Sequence, residues 1–185
     1  LLVPLRRIAR SAACLNPPFD AAFFAAELAH TRRWALERDG RTPLPPDRAS
    51  LWEELSGRLA TDAADPALAG DPVPTHRDFH ANNLMRTADG ALAVIDFQDL
   101  RLGPPDYDPV SLRFERAGAL APAHGDSYRE AVLLQRAWKV LGTFEKMLSF
   151  EREVYRPHRD AAVRAIRLWT RPDGPYRWLL EFLPA

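Results

Sequence analysis

The sequence predicts an α+β domain that is mostly helical, with one small β-hairpin near its middle. Three observations predict it. Apolar residues recur at helical spacing in long stretches on both sides of residue 70. A single Asp89-Gly90 turn separates two short apolar runs, a hairpin signal. A chain of 185 residues with 46% apolar side chains is large enough for one proper core.

Taken in order, Asn16 to Asp20 is a turn with two prolines. Asp20 is an N-cap for a helix running to about Arg38, ended by Asp39-Gly40. Its Phe23, Phe24, Leu28, Trp34 and Leu36 form a broad core face. Pro43 to Asp47 is a linker. A second helix spans about Asp47 to Leu59, with Leu51, Leu55 and Leu59 on one stripe. Asp62 to Pro72 reads as a surface loop, and Val73-Pro74-Thr75 leads out of it. Leu84 to Thr87 and Ala91 to Phe97 are the hairpin strands. Leu102 to Asp106 reads as irregular. Asp108-Pro109 opens a helix with an N-cap aspartate and proline at the first position. Gly125 to Glu153 is a long helix with Val132, Leu133, Trp138, Leu141, Phe144, Met147 and Leu148 inside. Asp160 to Thr170 is another helix, and Pro175 to Leu183 a last short one. There are no internal repeats.

Composition excludes several function classes. The net charge of +0 gives no broad pull toward nucleic acid or an anionic membrane. No apolar run approaches the ~18 residues of a membrane span. Arg6, Arg7 and Arg10 interrupt the only stretch that resembles a signal, before Cys14. Cys14 is the only cysteine, so no internal disulfide forms, and a cytoplasmic location is expected.

The chemistry lies in residues 76 to 97. His76-Arg77-Asp78 is followed by Asn83, five residues after the aspartate, and Ile95-Asp96-Phe97 comes thirteen residues later. This is the H-R-D-x-x-x-x-N pattern of a kinase catalytic loop, with an aspartate where a kinase keeps its D-F-G residue. Phosphoryl transfer needs these types. One carboxylate, Asp78, orients the attacking hydroxyl and accepts its proton. An amide oxygen and a second carboxylate, Asn83 and Asp96, hold Mg²⁺ against the phosphates of ATP or GTP. The hairpin has a mechanical purpose, because it brings Asn83 near Asp96. His76 and Asp108 are expected to shape the loop. Arg77, His80, Gln98 and Asp99 are candidate substrate contacts, although Arg77 also suits a pair with a nearby carboxylate. His76, His80 and Asp78 also have the makings of a metal site, but the kinase pattern accounts for the same residues.

Other kinase parts are missing from the sequence. No glycine-rich loop exists, and the two lysines, Lys139 and Lys146, both lie downstream of the catalytic loop. The 75 residues before His76 read as helices rather than as the lobe that covers ATP. The expectation for residues 1–185 is therefore the C-terminal lobe of a protein-kinase-like fold, with its N-lobe absent. Leu1 in place of Met agrees with a fragment. Such a lobe is expected to be inactive alone and to expose an apolar face.

The segment Thr75 to Leu112 resembles the aminoglycoside phosphotransferase-like superfamily. His76-Arg77-Asp78-Phe79-His80, Asn83-Leu84-Met85, Ile95 to Asp99, Gly103-Pro104 and Tyr107-Asp108 look closest to the bacterial anomeric amino-sugar kinases. Gln135-Arg136, Lys139 to Gly142 and Phe144 resemble a C-terminal helix of those enzymes. The likeness spans about residues 19 to 150. It implies a small-molecule kinase of cell-wall recycling, acting on N-acetylmuramate and N-acetylglucosamine at the anomeric hydroxyl. An aminoglycoside, a choline-like alcohol or homoserine suits the catalytic motif as well. The reading from a different class is a non-catalytic lobe remnant that binds a partner.

Overall fold

The computed structural model describes residues 16–116 and 129–184. Cys14, His124 and the expected start of the long helix at Gly125 lie outside them. The first helix, α1, spans Ala21–Thr31. Asp20 caps it as expected, its carboxylate accepting from the Phe23 N–H at 2.9 Å. The helix continues as a π-helical turn over Arg32–Leu36. Helix α2 covers Pro46–Ala64, one turn beyond the expected end, and buries Trp52, Leu55 and Leu59. The expected loop after it contains a short helix, α3, at Pro66–Ala69. Asp65 caps this turn and Pro66 starts it, so the breakers in that stretch mark a boundary and not a loop.

Four strands follow: β1 Val73–Thr75, β2 Leu84–Arg86, β3 Leu92–Val94 and β4 Arg101–Gly103. The β2–β3 hairpin is the expected one, with Leu84 opposite Val94 and Arg86 opposite Leu92. Gly90 takes a φ of 85° in its turn, which a side chain would resist. The β1–β4 pair corrects two expectations, since Val73 to Thr75 and the start of the segment at Leu102 are antiparallel strands. Pro74 and Pro104 hide them in the sequence. In an antiparallel ribbon alternate residues point their N–H outward, and Pro74, opposite Leu102, takes such a place, so its missing N–H is tolerated.

Helix α4 spans Tyr107–Arg116, α5 Glu130–Ser149 and α6 Arg156–Trp169. Arg177–Phe182 closes the described chain as 3₁₀ turns. Helix α5 is the axis of the domain and packs against α1, α2, α4 and α6. Trp138 is fully buried and meets Trp52 edge-on at 5.2 Å, and Trp52 meets Phe182 at the same distance. The expected apolar stripe of α5 holds only in part. Val132, Leu133 and Leu141 are buried, but Phe144, Met147 and Leu148 are half-exposed. In their place Gln135 and Arg136 are fully buried.

Two close contacts seat α5. Thr31 donates its hydroxyl to the Trp138 carbonyl at 2.9 Å. Gly142 lies so near α1 that a Cβ there would stand 2.6 Å from the Thr31 Cα. Gly142→Ala should therefore force the helices apart and cost roughly 1–3 kcal/mol. Urea unfolding of the variant measures this, and an unchanged midpoint would contradict it.

Candidate active site

The loop after β1 is built around one buried carboxylate. Asp108 is completely inaccessible and accepts from two consecutive backbone N–H groups, His76 at 2.8 Å and Arg77 at 2.9 Å. It sits inside the first turn of α4, which begins at Tyr107, so it is not the N-cap that was expected. The N–H groups of the loop occupy its oxygens. Arg77 takes a left-handed φ of 73°, a costly conformation for a residue other than glycine. Its carbonyl accepts from Ser111 at 3.2 Å and from Arg136 at 2.9 Å. Both sides of the strained peptide are thereby held. His76 is buried too, and its Nε2 lies 2.9 Å from the Ile95 carbonyl. That contact ties the loop to the strand end that carries Asp96.

The three residues of the kinase pattern meet here. Asn83 donates its amide to the Asp78 carbonyl at 2.8 Å and approaches the Asp96 carboxylate at 3.5 Å. The Ile95 N–H donates to the Asn83 carbonyl at 3.0 Å, so hairpin pairing continues to the site. Asp96 also has a left-handed φ, 63°. Gln98 donates to its other oxygen at 2.8 Å, which places Gln98 as a support for Asp96.

Arg77 and Asp99 pair with each other, the second of the two readings for that arginine. Arg77 also pairs with Glu27 at 3.0 Å and stacks over the Phe23 ring at 4.6 Å. Arg101 holds Asp99 from the other side at 2.9 Å. His80 is half-buried beside Asp78, its backbone N–H donating to the Asp78 carbonyl at 3.1 Å. Among the described residues no three His, Cys, Asp or Glu side chains converge as a metal cluster, so the imidazole–carboxylate alternative has no geometry behind it.

Sequence reasoning missed the cations that face Asp78. Arg136 and Lys139, one helical turn apart on α5, reach its Oδ1 at 3.1 and 3.0 Å. Gln135 on the same helix donates to Glu27 at 2.9 Å, which completes the Arg77–Glu27 cluster. The available signal was the placement of Gln, Arg and Lys amid an otherwise apolar helical run. Burial alone would raise the Asp78 carboxyl. Lys139 and then Arg136 outweigh it and hold the group well below the usual carboxylate range. Asp78 is therefore held in its anionic form by Lys139 and Arg136, suited to orienting a hydroxyl.

The oxygen donors fit a hard cation. Mg²⁺ takes one or two protein carboxyl or carbonyl oxygens and completes its shell with phosphate and water. The Asp96 carboxylate is exposed, and the Asn83 amide adjoins it.

The family comparison agrees with the phosphotransferase pattern read in the sequence. The phosphotransferase enzyme family model matches residues 5–158, and the chain belongs to that family. The chain is 33% identical over 111 residues to an N-acetylmuramate/N-acetylglucosamine kinase of Neisseria meningitidis serogroup B. That match covers 60% of this chain and 31% of that protein. A kinase of the same description from Pseudomonas putida is 32% identical over 96 residues, covering 52% of this chain and 27% of its own length. The chain thus spans under a third of these relatives in the matched region.

A depressed carboxyl contributes stability above its unfolded value of about 4 and loses it as pH falls toward the folded value. The stability gap between the wild type and Asp78→Asn should be present at pH 7, begin to close below about pH 4, and vanish only well beneath it. Urea titrations at several pH values test this. A gap independent of pH would mean that the ion pairs with Lys139 and Arg136 contribute nothing.

Proposed function

We propose that this chain is the C-terminal lobe of a small-molecule kinase that transfers the γ-phosphoryl of ATP or GTP to the hydroxyl of an amino sugar. The observation that carries this reading is the junction of Asp78, Asn83 and Asp96 through one asparagine amide. The amino-sugar part rests on the two relatives, whose names give N-acetylmuramate and N-acetylglucosamine as substrates.

In this reading Asp78 accepts a hydrogen bond from the acceptor hydroxyl and points its oxygen at the phosphoryl group. Its low basicity suits a loose transition state, in which bond making lags and the proton leaves late. Asn83 and Asp96 would hold Mg²⁺, which when bound neutralises charge on the nucleotide phosphates. Lys139 and Arg136 keep Asp78 ionised and fixed. Positioning and electrostatics are the whole of the catalysis asked of this lobe.

The hairpin beside the site exposes Met85 and Leu92, each 53% accessible, and Phe97, 57% accessible. Such a patch suits a lobe that covers the nucleotide. Among the described residues no helix is long and apolar enough to cross a membrane. A cytoplasmic kinase acting in cell-wall recycling accords with that and with the relatives.

In the protein expressed from its complete gene, Asp78→Ala should lower turnover by roughly 10²- to 10⁴-fold with little loss of nucleotide affinity. Asp96→Ala should instead abolish magnesium-dependent nucleotide binding. A coupled nucleotide-turnover assay with both sugars reads the first effect and calorimetry the second. Full turnover in Asp78→Ala would end the kinase reading.

The 185 residues alone should neither bind Mg-ATP or Mg-GTP tightly nor transfer phosphate, because the glycine-rich loop and strand lysine make most phosphate contacts in kinases. Micromolar affinity by calorimetry would show a complete site within these residues.

A further inference from the structure

A second cationic group stands along the same face of α5. Lys146 follows Lys139 by seven residues, two helical turns or about 10 Å along the axis. Its ammonium lies over the Trp34 ring, 5.6 Å from the centroid, and among the described residues no carboxylate pairs with it. Neighbouring carboxylates are engaged elsewhere. Glu27 binds Arg77 and Gln135, and Glu145 binds Arg159 at 2.7 Å. His30 of α1 lies 6.2 Å from Trp34 between ring centroids and is close enough to both lysines to feel their charge. Burial first, and then Lys146 and Arg33, lower its pKa. Lys139 adds to this and Glu27 opposes it. A neutral imidazole can both donate to and accept from hydroxyl and amide groups. Trp34 also lines a cleft of about 480 Å³ formed by the end of α5, the start of α6 and the turn at Arg38 to Arg41.

The strip from Asp78 through Lys139 and His30 to Lys146 is thus net positive and half-buried. A compact ammonium held on an aromatic face, with no internal carboxylate, suits an external one. We propose that this strip is an acceptor subsite, and that Lys146, positioned by Trp34, binds a carboxylate on the sugar whose hydroxyl meets Asp78. The proposal rests on the kinase reading above and adds the class of acceptor and the residue that selects it. The distance between the lysines suits a single substituted hexose, with its reacting hydroxyl at one end and its anionic arm at the other.

The test is Lys146→Met in the protein expressed from its complete gene, assayed with N-acetylmuramate, which carries a carboxylate, and N-acetylglucosamine, which does not. The KM for N-acetylmuramate should rise roughly 10- to 100-fold, the effect of losing one charge-assisted hydrogen bond. The KM for N-acetylglucosamine and both kcat values should stay within about twofold, since a uniform binding contact leaves turnover unchanged. Lys146→Arg should restore most of the discrimination, and Trp34→Leu should weaken it. Equal effects on the two sugars, or none, would overturn the subsite while leaving the kinase reading intact. A wild-type protein that phosphorylates neither sugar would overturn the amino-sugar reading itself, and the subsite with it.

Discussion

The carboxylate of Asp108 is the contact on which the site depends. It is buried without access to water, and its two oxygens are taken by the N–H groups of His76 and Arg77. A buried charge of this kind is stable only when fully hydrogen-bonded, so the loop and helix α4 constrain each other. Arg77 can then be held with a left-handed backbone, which turns the chain and presents Asp78. Removing the acceptor would leave two backbone donors buried and the strained turn without support.

Helix α5 is the second constraint. It serves the core with Trp138, Leu134 and Leu141 and serves the site with Gln135, Arg136 and Lys139. An arginine that is wholly inaccessible is costly unless its donors are used. Here one is given to the Arg77 carbonyl and shared with Asp78. The close approach at Gly142 and Thr31 sets how far α5 stands from α1. It therefore also sets how His30 of α1 stands to Lys139 and Lys146 of α5.

The hairpin contributes geometry and little burial. Its apolar residues are largely exposed, yet its pairing extends from Arg86–Leu92 to the Asn83–Ile95 hydrogen bond. Two oxygen-bearing side chains thirteen residues apart are thereby placed at one point. Small stable units of this kind need a partner surface to bury their apolar face. The contact of His76 with the Ile95 carbonyl ties the end of the hairpin to the loop instead.

Much of the chain was legible in its sequence because the signals are local. Asp20 as a cap, the Asp89-Gly90 turn, the helical spacing in α1, α2, α5 and α6, and the spacing of Asp78, Asn83 and Asp96 all act over a few residues. The β1–β4 pair was not legible, because it joins short proline-containing segments more than twenty residues apart and has no periodicity of its own. The role of Asp108 in shaping the loop was legible, but its place was not: proximity to Pro109 suggested a cap, whereas it lies inside the first turn and takes the long-range N–H groups of the loop. From sequence alone Arg77 suited substrate or an unspecified nearby carboxylate and Asp99 suited substrate, and only packing against Glu27 and Phe23 brought the two together. The same holds for Arg136 and Lys139, which are unremarkable on a helix until that helix is laid beside Asp78. Residue types and short spacings determined which chemistry the chain could carry. The tertiary structure decided which charges meet, because Coulombic and hydrogen-bond partners are chosen by distance in space and not along the chain.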